Sequence, residues 1–157
     1  ADIDMIRSHK RPLKEGIDFG YVGDVDSANG NMLHTLVEAG IVPVMAPLTH
    51  DGNGNILNTN ADTIASETAK ALAPYYDVTL MFCFEKKGVL SNPDDDDSVI
   101  PSITPEEFKA LVADGTVAGG MIPKLENSFN AIEHGVKQVV ITIASSIDGK
   151  HGTILRG

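Results

Sequence analysis

The strongest constraint on the fold is an alternation of short apolar runs with stretches that carry apolar residues at helical spacing. Residues 78–84 (VTLMFCF) and 139–143 (VVITI) are near-continuous apolar runs of strand length, the pattern of strands covered on both faces. Residues 41–48 (IVPVMAPL) read the same way, with Pro43 and Pro47 making that run irregular or placing it at an edge. Residues 17–25 (IDFGYVGDV) alternate apolar and polar like a short edge strand, and Thr153, Ile154 and Leu155 form a closing strand after a hairpin-like loop. Between these lie four helical patterns. The first is capped by Asp26 or Ser27, carries Met32, Leu33, Leu36 and Val37, and stops at Gly40. The second carries Ile64, Ala65, Ala69 and Leu72, and the third opens on a capping box, Thr104-Pro105-Glu106-Glu107. The fourth carries Leu125, Phe129 and Ile132 and ends at His134-Gly135. Strands alternating with helices predict an α/β three-layer sandwich with a mainly parallel central sheet. No repeat or linker interrupts the 157 residues, which read as a single domain.

Composition narrows the function classes. A 42% hydrophobic and 22% charged content is that of a globular chain. A net charge of −10 argues against nonspecific nucleic-acid binding, while local lysines and a metal ion still allow a nucleotide. The longest apolar run is too short to span a bilayer, and residues 1–10 lack a signal-peptide core, so a cytoplasmic protein without membrane contact is expected. Cys83 is the only cysteine, so no intrachain disulfide can form, and its apolar run makes it a poor nucleophile. The chain starts without Met and in mid-pattern, which suggests a piece of a longer protein.

Three stretches carry candidate chemistry. In GGMIPK at 119–124, Pro123 suits the first helical position, and Lys124 then falls in the first turn beside unpaired N–H groups. Gly119 and Gly120 would let a ligand approach, so the stretch reads either as an anion site or as a plain turn with a solvated lysine. Glu85, Lys86, Lys87, Gly88, Val89 and Leu90 follow an apolar strand, where open α/β sheets bind ligands; plain surface charge is the other reading. Asn58, Asn60 and Asp62 stand at alternate positions before a helix. One of them serves as a cap, and on an extended segment all three would face one spot. The run from Asp94 to Asp97 reads as a solvated loop outside the chemistry. His34 and His50 read as solvated, and Lys10, Arg11 and Lys14 as a surface segment or a basic lip.

Together, NTNAD at 58–62, GGMIPK at 119–124 and Gly152-Thr153 resemble, in their order, the amino-acid kinase family. GYVGDV at 20–25 resembles the branch that acts on an N-acylated glutamate. The resemblance implies an amino-acid kinase-like fold, with residues 1–157 as the ATP-binding C-terminal half of a longer kinase. It implies transfer of the γ-phosphate of ATP to the γ-carboxylate of an N-acyl-glutamate, within arginine biosynthesis. It also implies Mg²⁺ as a cofactor and a homo-oligomer as the assembly. Lys124 would stabilise the transferring phosphoryl group, and Asp62 would orient the catalytic lysines. Asn58 and Asn60 would hold the amino-acid substrate; residues 85–90 with Gly119 and Gly120 would contact the nucleotide. No residue is assigned to a metal. The chain departs from the family twice. It lacks the N-terminal half with its glycine pair, first phosphate lysine and substrate arginine, and it has Glu85 where the family usually has Asp. Another acceptor (carbamate, aspartate, glutamate or UMP) and a noncatalytic nucleotide-binding module are the competing readings. The chemistry implied is consistent with elementary physics. A glutamate carboxylate, with a pKa of about 4.3, needs no general base at neutral pH. It needs relief from repulsion by the γ-phosphate, so Asp62 makes sense as an organiser of cations.

Overall fold

The computed structural model describes residues 4–148 and 151–157. The chain divides into two compact units, Ala1–Tyr75 and Tyr76–Gly157, a division that no linker composition signals. The first unit contains β1 (Ile6–Lys10), β2 (Gly23–Ala28), α1 (Gly30–Glu38), β3 (Leu48–His50), β4 (Ile56–Asn58) and α2 (Ala61–Leu72). The second contains β5 (Thr79–Phe84), β6 (Ser102–Ile103), α3 (Pro105–Ala113), α4 (Met121–Glu133), β7 (Gln138–Ile143) and β8 (Thr153–Leu155).

The α/β class is as the sequence predicts, but the strands form two sheets with mixed pairing, in the orders β2-β1-β3-β4 and β5-β7-β8-β6. The parallel pairs are β1–β3, β5–β7 and β6–β8; β1–β2, β3–β4 and β7–β8 are antiparallel. The mainly parallel reading thus holds best in the second sheet. The reason is connection length: parallel neighbours need a crossover of about a dozen residues or more. The turn that joins β3 to β4, held by the Asp51 carboxylate accepting from the Asn53 and Asn55 N–H groups, is too short for one.

Local chemistry explains the helix starts. The Thr104 hydroxyl accepts from the Glu107 N–H while the Glu107 carboxylate accepts from the Thr104 N–H, so the capping box that opens α3 is real. At α1 the cap is Asn29, whose Oδ1 accepts from the Met32 N–H at 3.0 Å. Asp26 and Ser27, expected in that role, lie within β2 instead. Gly30 opens α1 because a Cβ there would collide with the Ala71 carbonyl of α2, so the two helices meet closely.

The first unit packs Met5, Ile6, Leu33 and Ile64 together, with Val25, Met32 and Leu36 against them. The second buries Val139, Val140 and Ile141 of β7 fully, with Leu125, Ala131 and Leu155. Two expectations fail here. Residues 41–46 form no strand, and Val42 and Val44 are 84% and 93% exposed. Cys83 is exposed as well, on the face of β5 opposite the one that carries Phe82 and Phe84.

Candidate active site

In the second unit the candidate residues gather where β5 ends. Gly88, Val89 and Leu90 turn inward and are buried, while Glu85, Lys86 and Lys87 are exposed. Thr153 of β8 fixes this turn. Its buried hydroxyl accepts from the Val89 N–H at 2.8 Å and donates to the Ile100 carbonyl at 2.7 Å. Gly88 is required by space: a Cβ there would stand 2.8 Å from the Thr153 Oγ1 and 2.9 Å from Val99. Gly152, at φ +110°, is required twice over, because a Cβ would also collide with the Ile141 carbonyl. The Gly152-Thr153 pair therefore acts as the brace of the loop at 85–90.

That loop borders two adjoining pockets. One, of about 260 Å³, is lined by Lys86, Gly88, Val89, Leu90, Val117 and Met121 among others. The other is more open, about 470 Å³, and is lined by Cys83, Phe84, Glu85, Lys86, Gly88 and Met121. They share Lys86, Gly88 and Met121, so the two hollows adjoin; both are mostly apolar, with Lys86 on their common edge and Glu85 on the wall of the second.

Lys124 lies over Phe84, a residue of the second pocket's wall. Its Nζ stands 3.7 Å from the centroid of the Phe84 ring and 5.7 Å from that of Phe82. The helix that carries it starts earlier than the proline suggests. Met121 is the first residue of α4 and Gly120 its N-cap, which puts Pro123 third and Lys124 fourth. The N–H groups of Met121 and Ile122 each donate, at 3.3 Å, to the carbonyls of Ala118 and Gly119. The open helix mouth expected there is thus partly closed by its own turn. Gly119 lies in the left-handed region at φ +56°, and a Cβ at Gly119 or Gly120 would meet nothing. The space beside both glycines is open to a ligand.

The two loop lysines are less available than the sequence implies. Lys86 pairs with Asp96 at 2.7 Å and Lys87 with Asp97 at 2.6 Å, all four on the surface. These hydrogen bonds hold both lysine pKa values above their ordinary range, and the Lys86 ammonium lowers that of Asp96. The acidic run, read as bystander charge, is the lysines' partner. Two lysines followed ten positions later by aspartates, across a turn, is the signal that could have shown it.

In the first unit Asn58 closes β4, with its N–H donated to the Tyr21 carbonyl at 2.8 Å. Asn60 is the N-cap of α2, its Oδ1 accepting from the Thr63 N–H at 3.1 Å. Asp62 lies in the first turn of that helix, half-buried. The three do not form one extended row, because the helix begins at Ala61 and turns Asp62 out of the strand's alternation. Between them, Thr59 is buried; its hydroxyl meets that of Thr49 at 2.9 Å and donates to the Gly23 carbonyl at 3.2 Å. It ties the Asn58 strand end to β2 and β3. Among the described residues, no group of three or more His, Cys, Asp or Glu side chains could hold a metal ion.

Comparison with known proteins identifies the family. The family model of the amino acid kinase family matches residues 1–142. The acetylglutamate kinase of Phocaeicola vulgatus is 65% identical over 156 residues, which cover 99% of this chain and 60% of that protein. The acetylglutamate kinase of Bacteroides thetaiotaomicron is 63% identical with the same coverage. This chain therefore spans about 60% of the length of these relatives. Among solved structures, smu.665 from Streptococcus mutans is 30% identical at a TM-score of 0.75, covering 97% of this chain and 56% of that one. An N-acetylglutamate synthase from Neisseria gonorrhoeae, at 19% identity and a TM-score of 0.84, covers 98% of this chain and 37% of that one, and it shares the fold. No helix among the described residues is long and apolar enough to cross a membrane. A family match running from residue 1 to residue 142 of 157 means that this chain belongs to the amino acid kinase family.

Proposed function

We propose that this chain is the nucleotide-binding part of a cytoplasmic kinase that phosphorylates the γ-carboxylate of N-acetyl-L-glutamate, giving N-acetyl-L-glutamyl 5-phosphate for arginine biosynthesis. The observation that carries this reading is the 65% identity to an acetylglutamate kinase along 99% of the chain. In this reading ATP lies along the two pockets, with its base against Val89, Leu90 and Val117 and its phosphates toward Lys86 and Lys124. The acceptor carboxylate needs no proton removed, so the protein's task is to hold two anions together and stabilise the charge of the transferring phosphoryl group. Lys124 supplies that cation. Asp62 orients the lysines, and Asn58 holds the substrate, with Asn60 bordering it beyond its duty as a cap. Glu85, Lys87, Gly119 and Gly120 complete the nucleotide contacts. Magnesium, when bound, would neutralise phosphate charge in the same way.

The test is an acceptor panel on the full-length protein: N-acetylglutamate, N-succinylglutamate, glutamate, aspartate, carbamate and UMP with ATP–Mg²⁺. Turnover confined to the N-acylated glutamates is expected, and preference for any other acceptor would sink the substrate assignment. Lys124→Ala should lower kcat by about 10²- to 10³-fold, as loss of a charge-stabilising donor does elsewhere. An unchanged kcat would remove Lys124 from the chemistry.

A further inference from the structure

The turn between β3 and β4 takes no part in the proposed chemistry, yet it holds one of the chain's two Asn-Gly pairs, Asn29-Gly30 and Asn53-Gly54. Asparagine is thermolabile, and most so before glycine, whose nitrogen can reach the carboxamide with no side chain in the way. The two pairs stand in opposite settings. Asn29 caps α1, its carboxamide oxygen accepting from the Met32 N–H at 3.0 Å. Gly30 begins that helix, and a Cβ there would collide with the Ala71 carbonyl. Neither group is free to swing into a ring. In the turn, the N–H groups of Gly52, Asn53 and Asn55 are all taken, the first by His50 Nδ1 at 3.2 Å, the others by Asp51 Oδ1 at 2.8 and 3.2 Å. Among the described residues, the Gly54 N–H and the Asn53 carboxamide have no hydrogen-bond partner. Both residues are exposed, and the space beside Gly54 is open. Asp51, which also precedes a glycine, is protected: three donated hydrogen bonds keep its carboxylate ionised and its pKa below the usual range, and an ionised carboxylate is a poor electrophile.

We infer that Asn53 is a self-modification site, where the exposed turn converts to isoaspartate while Asn29 is spared. The Gly54 nitrogen gives its proton to solvent base and attacks the Asn53 Cγ. A bond forms from that nitrogen to Cγ, the Cγ–Nδ2 bond breaks, and the nitrogen leaves as ammonia, taking a proton from water. Water then opens the cyclic imide at either carbonyl, giving aspartate or isoaspartate, in which the main chain runs through Cβ and Cγ. No oxidant or reductant is needed. The lengthened link has a structural consequence, because Asp51 Oδ1 grips the N–H groups of residues 53 and 55 together. An added backbone atom between them releases the Asn55 side of that grip. The damage stays near the turn. Farther along, the Asn58 N–H donates to the Tyr21 carbonyl at 2.8 Å and the Thr59 N–H to the Pro47 carbonyl at 2.9 Å, bonds that do not pass through the turn.

Ageing the full-length protein in mildly alkaline buffer made with heavy-oxygen water tests this. Peptide mapping by mass spectrometry should find residue 53 converted to a labelled acid, with isoaspartate exceeding aspartate, and Asn29 still an amide. In denaturant the two pairs should react at similar rates, so that the selectivity is the fold's and not the sequence's. In the aged native protein, amide exchange should quicken at Asn55 and hold at Asn58. The Asn53→Gln protein, whose longer side chain closes a ring far less readily, should stay unmodified and keep its Asn55 protection. An intact Asn53 in the aged native protein overturns the inference. So does loss of the Asn29 amide as fast as that of Asn53, or conversion of Asn53 to aspartate alone.

Discussion

Residues 41–48 and 139–143 look alike as sequence, each an apolar run of strand length, and they meet opposite fates. In the second run Val139, Val140 and Ile141 are fully buried, flanked in the sheet by β5 on one side and β8 on the other. In the first, Val42 and Val44 are 84% and 93% exposed, and residues 41–46 have no ladder partner. The difference is not hydrophobicity. Pro43 and Pro47 remove two ladder donors from the first run, whereas the second can donate at every residue and is paired along both edges. An apolar run states that burial would be favourable; only available partners decide whether it happens.

The comparison can be broken by substitution. The largest effect is expected at Ile141→Ala, which empties part of a filled core and should cost about 2–5 kcal/mol of stability in denaturant unfolding. A cost below 1 kcal/mol, on the order of an exposed change, would mean that β7 is not the core of its unit. Thr153→Val should come next at about 1–3 kcal/mol, because it leaves the Val89 N–H buried without an acceptor. It should also loosen the nucleotide loop, read as faster amide exchange at Val89 and Leu90. Acidification probes the first unit through Asp24. Hydrogen bonds from the Arg11 guanidinium hold its carboxyl below the usual carboxylate range. The folded carboxyl therefore binds its proton later than the unfolded one. Its stabilisation is complete above the unfolded value, about 4, and is lost as pH falls through the lowered folded value. The pair is well exposed, so the loss should stay under about 1 kcal/mol; a titration of Asp24 with an ordinary midpoint would remove it. The smallest effect is expected at Val44→Ser, within about 0.5 kcal/mol in this chain. A larger cost would show that residues 41–48 are covered in solution and that the contrast with β7 is false.

How much was legible depends on the range of the interaction. The capping box at Thr104 and Glu107 was readable because all its atoms lie within one turn. The Asn29 cap was missed because its position depends on where β2 ends, which the pairing with β1 sets. The start of α4 slid to Met121 because the turn at Ala118 and Gly119 supplies carbonyls that no propensity foresees. For Asn58, Asn60 and Asp62 the cap is local and legible, whereas the single row expected of them is broken at Ala61, where the helix begins. Lys86 and Lys87 read as nucleotide contacts or surface charge and the aspartates as a solvated loop, although the four form ion pairs across a turn.

Taken alone, the order of residues determined the α/β alternation, the caps made within a turn, and the family motifs at 58–62 and 119–124. Those are properties of neighbours along the chain, where spacing fixes which side chains can meet. The tertiary structure alone decided which strands pair in which direction, which apolar run is buried, and that Thr153 braces the loop at Val89. It also decided that Lys124 rests over Phe84. Each of these depends on distant segments arriving at one place, and no local period encodes that.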